Sequence, residues 1–229
     1  MICDNLRRIK EEIAAIARRC GRDPGKIELL AVSKRMSADR IREAWGCGQL
    51  LFGENFVQEA MEKIPRLDPS LRWHFIGHLQ SNKTRQAARH FAMVETVDRL
   101  KLALELNRHA AGIDRVLDIL VQVNIGLEPQ KSGLDPQKVE QFLGELGTLK
   151  NLRVRGLMTI PPYADDPEET RPFFRAMKKL ADRCAGRGLF ADNSAVVLSM
   201  GMTGDYPVAI EEGATLVRIG TAIFGERPN

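Results

Sequence analysis

The sequence predicts an α/β protein: a single (β/α)8 barrel of TIM type over residues 1–229, with an extra helix at its N-terminus. Three observations predict it. Eight short apolar runs recur along the chain, each of a length that suits a strand. Helix-length segments separate them. No low-complexity linker or break in composition divides the 229 residues. Strict alternation of strand and helix argues for parallel βαβ units, and eight such units in this length suit a closed barrel. A doubly wound open sheet is the alternative reading.

Residues 1–21 form the N-terminal helix, because Leu6, Ile9, Ile13, Ile16 and Cys20 recur at helical spacing and Gly21 can stop it. Residues 27–33 form the first strand. They are apolar or small except for Glu28, the pattern of a strand buried on both faces. Ser37 can cap a helix that runs to Gly46. Residues 50–53 are a second strand, and residues 55–64 a helix closed by Pro65. The third strand is 73–77 (WHFIG), followed by a helix over 81–90. The fourth is 93–97, followed by a helix over 100–111. The longest strand is 116–125, and the next helix covers 135–146. Residues 154–158 are the sixth strand. A long helix follows over 168–186, with Phe173, Met177, Leu180 and Cys184 on one face. Residues 196–199 and 216–219 are the last strands, with a short helix over 206–212 between them. The tail from Ala222 adds a final turn.

Composition excludes several classes. Hydrophobic residues are 44% and charged residues 28%, as in an ordinary soluble globular protein. No apolar run approaches the roughly 20 residues that cross a bilayer, and residues 1–20 have an amphipathic stripe instead of a signal-peptide core. Net charge is +4, with 34 basic side chains interspersed among 30 acidic ones. Such a surface attracts phosphorylated ligands weakly and lacks the one-sided stripe of a nucleic-acid binder. Cys3, Cys20, Cys47 and Cys184 are far apart and form no C-x-x-C pair. The simplest expectation is four reduced thiols in a cytoplasmic protein, and a monomer.

In a barrel the active site lies at the carboxyl ends of the strands. The residues that follow the apolar runs are Lys34, Asn55, His78, Asn124, Met158, Ser199 to Thr203, and Gly220 to Thr221. Lys34 sits at the rim of the core. Partial desolvation there disfavours the charged ammonium, the chemistry of a Schiff-base lysine; an ordinary lysine that snorkels to water is the plainer reading. LSMGMTGD, at 198–205, offers the hydroxyls of Ser199 and Thr203 and two glycines. VRIGT, at 217–221, offers the amides of Gly220 and Thr221 at the start of a turn. Loops after the last two strands are the usual phosphate site of this barrel, although each glycine alone could be only a turn residue. Arg218 lies inside the last strand and must find an acceptor: a carboxylate from a neighbouring strand or a ring nitrogen of a bound cofactor. His74 and His78 share one strand face, but no third ligand with metal spacing accompanies them. His78 is the candidate site residue and His74 a satisfied core histidine.

Seven segments together resemble the pyridoxal phosphate homeostasis protein family: LLAVSKRM, FGENFVQEA, WHFIGHLQSNK, VQVNIGLEPQKSGL, RGLMTIPP, LSMGMTGDYPVAI and GATLVRIGTAIFG. They span nearly the whole chain in order. The resemblance implies a barrel similar to the N-terminal domain of alanine racemase, with pyridoxal 5′-phosphate (PLP) as a Schiff base on Lys34. It implies phosphate contacts at Ser199, Gly201, Gly220 and Thr221, and Arg218 at the pyridine nitrogen. With the strand-end candidates, the expected cofactor-binding set is Lys34, Asn55, His78, Met158, Ser199, Met200, Gly201, Arg218, Gly220 and Thr221. No residue is assigned to catalysis or to a metal.

A guanidinium can only donate hydrogen bonds, so it leaves the pyridine nitrogen unprotonated and the ring a weak electron sink. That suits a carrier or a racemase better than a transaminase. The preferred reading is a non-catalytic protein of PLP homeostasis, with PLP-dependent apoenzymes as recipients of the cofactor. A PLP-dependent amino-acid racemase is the alternative. Alanine racemase supplies a tyrosine base from a second domain; this chain closes at Asn229 and its tyrosines are Tyr163 and Tyr206, so that domain is expected to be missing.

Overall fold

The structure is a computed structural model and describes residues 1–226; the final residues of the expected terminal tail lie outside the described residues. The apolar runs form β1 (Glu28–Val32), β2 (Leu51–Glu54), β3 (Arg72–Phe75), β4 (Met93–Val97), β5 (Leu117–Val123), β6 (Leu152–Thr159), β7 (Val197–Ser199) and β8 (Leu216–Ile219). They pair in parallel in chain order, and β1 pairs with β8, so the sheet closes into a barrel. The open-sheet alternative falls with that closure.

Helices α1 (Ile2–Arg19), α2 (Ala38–Gly46), α3 (Val57–Lys63), α4 (Thr84–His90), α5 (Leu100–Ala111), α6 (Val139–Leu146), α7 (Arg171–Gly186), α8 (Tyr206–Glu211) and α9 (Thr221–Phe224) accompany the strands. Ser37 caps α2, its hydroxyl accepting from the Arg40 amide. Three predicted helices begin as 3-10 turns, at Ser81–Lys83, Pro136–Lys138 and Pro167–Thr170. Asp135 and Asp166 cap the last two, and a proline follows each. In α7 the buried aromatic is Phe174, with Phe173 only half-buried. Met177, Leu180 and Cys184 are buried as predicted, and Phe174 takes the place expected of Phe173 on that face.

The N-terminal helix is part of the ring. Its Leu6, Ile9, Ile13 and Ile16 are buried, while Cys20 lies past the helix end and is exposed. Among the described residues, the four-residue α9 is the helix that follows β8. α1 packs against α8, α9 and α2. Arg22, just beyond α1, donates to the carbonyls of Ile210 and Ala214 at the end of α8. Cys3 and Cys47 join α1 to the end of α2 as a disulfide, Cα–Cα 5.3 Å. The expectation of four reduced thiols is therefore corrected: spacing in sequence does not reveal that the ring brings these two together. Closing a 44-residue separation contributes about 4 kcal/mol by the chain-entropy argument.

Alternation along the strands divides the core in two. Leu29, Ala31, Phe52, Val217 and Ile219 join the large cluster shared with the helices. Leu30, Val32, Leu51, Ile76 and Leu216 form a separate cluster inside the barrel, and Met93, Leu120 and Met158 another. His74, Glu95, Ser199 and Arg218 are buried among these strands. No helix among the described residues is long and apolar enough to cross a membrane.

Candidate functional site

A cavity of about 270 Å³ opens at the carboxyl ends of the strands. Lys34, Asn55, Arg218, Gly220 and Thr221 line it, five residues that come from the ends of β1, β2 and β8. Val32, Ile76, Ile160 and Met202 supply apolar walls, and Thr203 and Gly204 the turn after β7. A larger groove of about 430 Å³ lies at the opposite end, between Lys10, Glu28, Gln49 and Arg72. Barrel chemistry belongs to the carboxyl end, so the smaller cavity is the candidate site.

Strand geometry explains these placements. β1 is buried from Leu29 onward, Ser33 is fully buried, and Lys34 emerges half-buried at its end. Asn55 directly follows β2, and its Oδ1 is buried with no hydrogen-bond partner. Asn55 is crowded by the third strand's end: a Cβ on Gly77 would lie 2.1 Å from the Asn55 carbonyl oxygen. Only glycine permits that approach. Gly220 caps α9, and its carbonyl accepts from the Ile223 and Phe224 amides.

Arg218 is buried inside the barrel and ends a chain of polar groups. It donates to Ser199 Oγ at 2.7 Å and to the Thr159 carbonyl at 2.8 Å. The Ser199 hydroxyl donates to Glu95 Oε2 at 2.5 Å, and Glu95 Oε1 lies 2.7 Å from His74 Nδ1. Five strands, β3, β4, β6, β7 and β8, thus meet through one buried network. Burial lowers the Arg218 pKa, opposed by the charges of Glu95 and Asp205. Burial also raises the Asp205 carboxyl.

The other predicted residues take different places. Ser199 commits its hydroxyl to Glu95 and Arg218 within the barrel. Met158 and Met200 are fully buried in apolar clusters. Gly201 has φ +91° and backs onto α8, where a Cβ would come within 2.6 Å of the Ala209 methyl. His78 is exposed and lines a neighbouring cavity with Gln122, Lys131 and Ser132; Asn55, Ile76 and Ile160 form the wall between the two. Asn124 braces the loop after β5 by bonding the Glu128 backbone. His74 is the satisfied core histidine its strand position suggested. Glu95 escaped notice in the sequence, because its partners lie on strands remote in the chain.

Comparison with known proteins places this geometry in a class and then in a family. Residues 5–228 match the model of the alanine racemase N-terminal domain. Alanine racemase of Clostridium difficile shares the fold at a TM-score of 0.72 and 18% identity, over 99% of this chain and 58% of the racemase. The chain is thus a barrel of the alanine racemase N-terminal class. Pyridoxal phosphate homeostasis protein of Aquifex aeolicus is 42% identical over 227 residues, 98% of either chain. The protein of that name from Escherichia coli is 43% identical over 230 residues, 99% of this chain and 97% of its own. PipY of Synechococcus elongatus, solved with PLP bound, superposes at a TM-score of 0.86 with 37% identity, over 98% of this chain and all of PipY. The chain belongs to the pyridoxal phosphate homeostasis protein family.

Proposed function

We propose that this chain binds PLP at the Lys34 cavity and acts in intracellular PLP homeostasis without catalytic turnover. The observation that carries the reading is one cavity that joins an amine, a buried guanidinium, an unpartnered acceptor and a glycine-threonine turn. Those groups suit the cofactor's chemistry. PLP offers an aldehyde, which an amine can take up with loss of water. Lys34 is the residue proposed to hold it. Asn55 Oδ1 is an acceptor for a hydroxyl donor on the bound molecule. Gly220 and Thr221 offer backbone and hydroxyl donors for a phosphate. Arg218 can only donate, which favours a neutral ring nitrogen.

The homeostasis names of the relatives support a carrier over a catalyst. The chain is proposed to work as a single-domain monomer in the cytoplasm and to pass its cofactor to PLP-dependent apoenzymes. The test is covalent. Purified protein incubated with PLP and reduced with borohydride should carry the label on Lys34, located by peptide mass spectrometry. A label that stays at another lysine, or that persists in Lys34→Ala at the parental level, overturns the assignment.

A further inference from the structure

Lys34 lies in a turn whose main chain is gripped on both sides by one buried ion cluster. On the near side, the Ser33 hydroxyl donates to Glu54 Oε1 at 2.6 Å, and the Ser33 carbonyl accepts from Lys63 Nζ at 2.9 Å. On the far side, the Arg35 amide donates to Glu59 Oε1. Lys63 joins the two halves, donating to Glu54 Oε1 at 2.9 Å and pairing with Glu59. Glu54 is fully buried and Lys63 is 8% exposed.

This cluster is costly. Burial pushes the Glu54 carboxyl up, against the pull of Lys63 and the Ser33 hydrogen bond. Desolvation offsets much of the attraction in a buried ion pair, so such a pair is weak as a source of stability. Arg35 adds a local cost, with φ +61° in the left-handed region; a non-glycine residue persists there only where its surroundings impose it. The cluster directs its bonds at the residues before and after Lys34, and that is what its desolvation obtains.

We propose that Glu54, Glu59 and Lys63 are positioning residues that fix the Lys34 backbone so that its amine meets the aldehyde of the bound cofactor. The inference rests on the PLP reading of the cavity. None of the three residues lines that cavity, so they act through the turn.

The test separates covalent attachment from simple binding. Pyridoxine 5′-phosphate carries an alcohol in place of the aldehyde and cannot condense with an amine. Lys63→Met and Glu59→Ala should attach PLP to Lys34 more slowly by roughly tenfold to a hundredfold, as small misplacements of reacting groups do. Their affinity for pyridoxine 5′-phosphate should match the parent. Glu59→Gln should restore the attachment rate, because its amide oxygen still accepts from Arg35. If Lys63→Met fails to fold, the Glu59 pair, on a side chain that is 22% exposed, decides the matter. Parental attachment rates in the variants overturn this inference alone, as does a parallel loss of both measures. A parent chain that attaches no PLP overturns the cofactor reading and this inference with it.

Discussion

Arg218 donates to the Ser199 hydroxyl at 2.7 Å, and Ser199 passes the contact on to Glu95 at 2.5 Å. The guanidinium therefore meets its countercharge through a serine. An unsatisfied buried donor or acceptor costs about 1–3 kcal/mol, and a buried charge stripped of its partner about 3–5 kcal/mol. Ser199→Ala should lower unfolding free energy in urea by about 2 kcal/mol. Arg218→Met should lower it by about 3 kcal/mol or more, with part recovered in the Arg218→Met/Glu95→Gln double variant. Costs of Ser199→Ala and Arg218→Met that simply add in the Ser199→Ala/Arg218→Met double variant would show that the serine bridge is not what couples the charges.

The fold was legible because period and alternation are local. Residues 93–97, 100–111 and 216–219 have the same bounds in sequence and structure. Lys34, Asn55, Arg218, Gly220 and Thr221 could be named as site candidates because each sits at, or within, a readable strand end. Ser199, Met158 and Met200 lie at strand ends too, yet their side chains turn into the protein. The predicted β7 ends at Ser199, as it does in the structure; what a strand end alone leaves open is which face each side chain takes. The Glu95 and Lys63 networks were invisible for another reason. Their partners are joined by barrel closure and by packing of α3 beneath the β1 turn, neither of which leaves a spacing in the chain.

Gly77 sets the position of Asn55. An added Cβ would meet the Asn55 carbonyl oxygen at 2.1 Å, and backbone on both sides leaves no flexible side chain to yield. Gly77→Ala should displace Asn55 from the cavity wall. The expected outcome is weaker retention of PLP on dialysis, by about tenfold for a loss of about 1.4 kcal/mol, read by absorbance of the retained cofactor. Gly144→Ala, in α6 and away from the cavity lining, is the control, since a Cβ there meets nothing within 4 Å. Equal retention by both variants and the parent would detach Asn55 from the site.

Arg171 ties α7 to the end of α8. It bonds Glu211 at 2.6 Å and Glu212 at 2.9 Å. Hydrogen bonds hold both carboxyls below the ordinary value, from Arg171 and Arg19 at Glu211, and from Arg175 and Arg171 at Glu212. A carboxyl with a depressed folded pKa contributes stability that is complete above its unfolded value and is lost as pH falls through the folded one. Solvent reaches these pairs, so each is worth about 0.2–1 kcal/mol. Arg171→Met should therefore lower the melting temperature near neutral pH, and the gap to the parent should narrow at a pH well below the ordinary carboxyl range, as the carboxylates become protonated. Thermal melts of parent and variant at the two pH values check it; an undiminished gap in acid would assign the effect to packing.

The last prediction concerns turnover. Removing and returning an α-proton requires a base poised at the bound substrate. Among the described residues that line the candidate cavity, Lys34 is the one side chain suited to that work. Tyr163 is 88% exposed and its hydroxyl donates to Asp165. Tyr206 is buried on α8, where burial and the neighbouring Glu12 raise its phenol far from a useful base. Arg218 can only donate, and a neutral ring nitrogen makes PLP a weak electron sink. The expected outcome is no stereospecific α-proton exchange at an enzyme-like rate when PLP-loaded protein is incubated with D- or L-amino acids in deuterated water. Proton NMR of the α position reads it directly. Stereospecific exchange at such a rate, abolished in Lys34→Ala, would make the protein a catalyst and move it to the racemase reading.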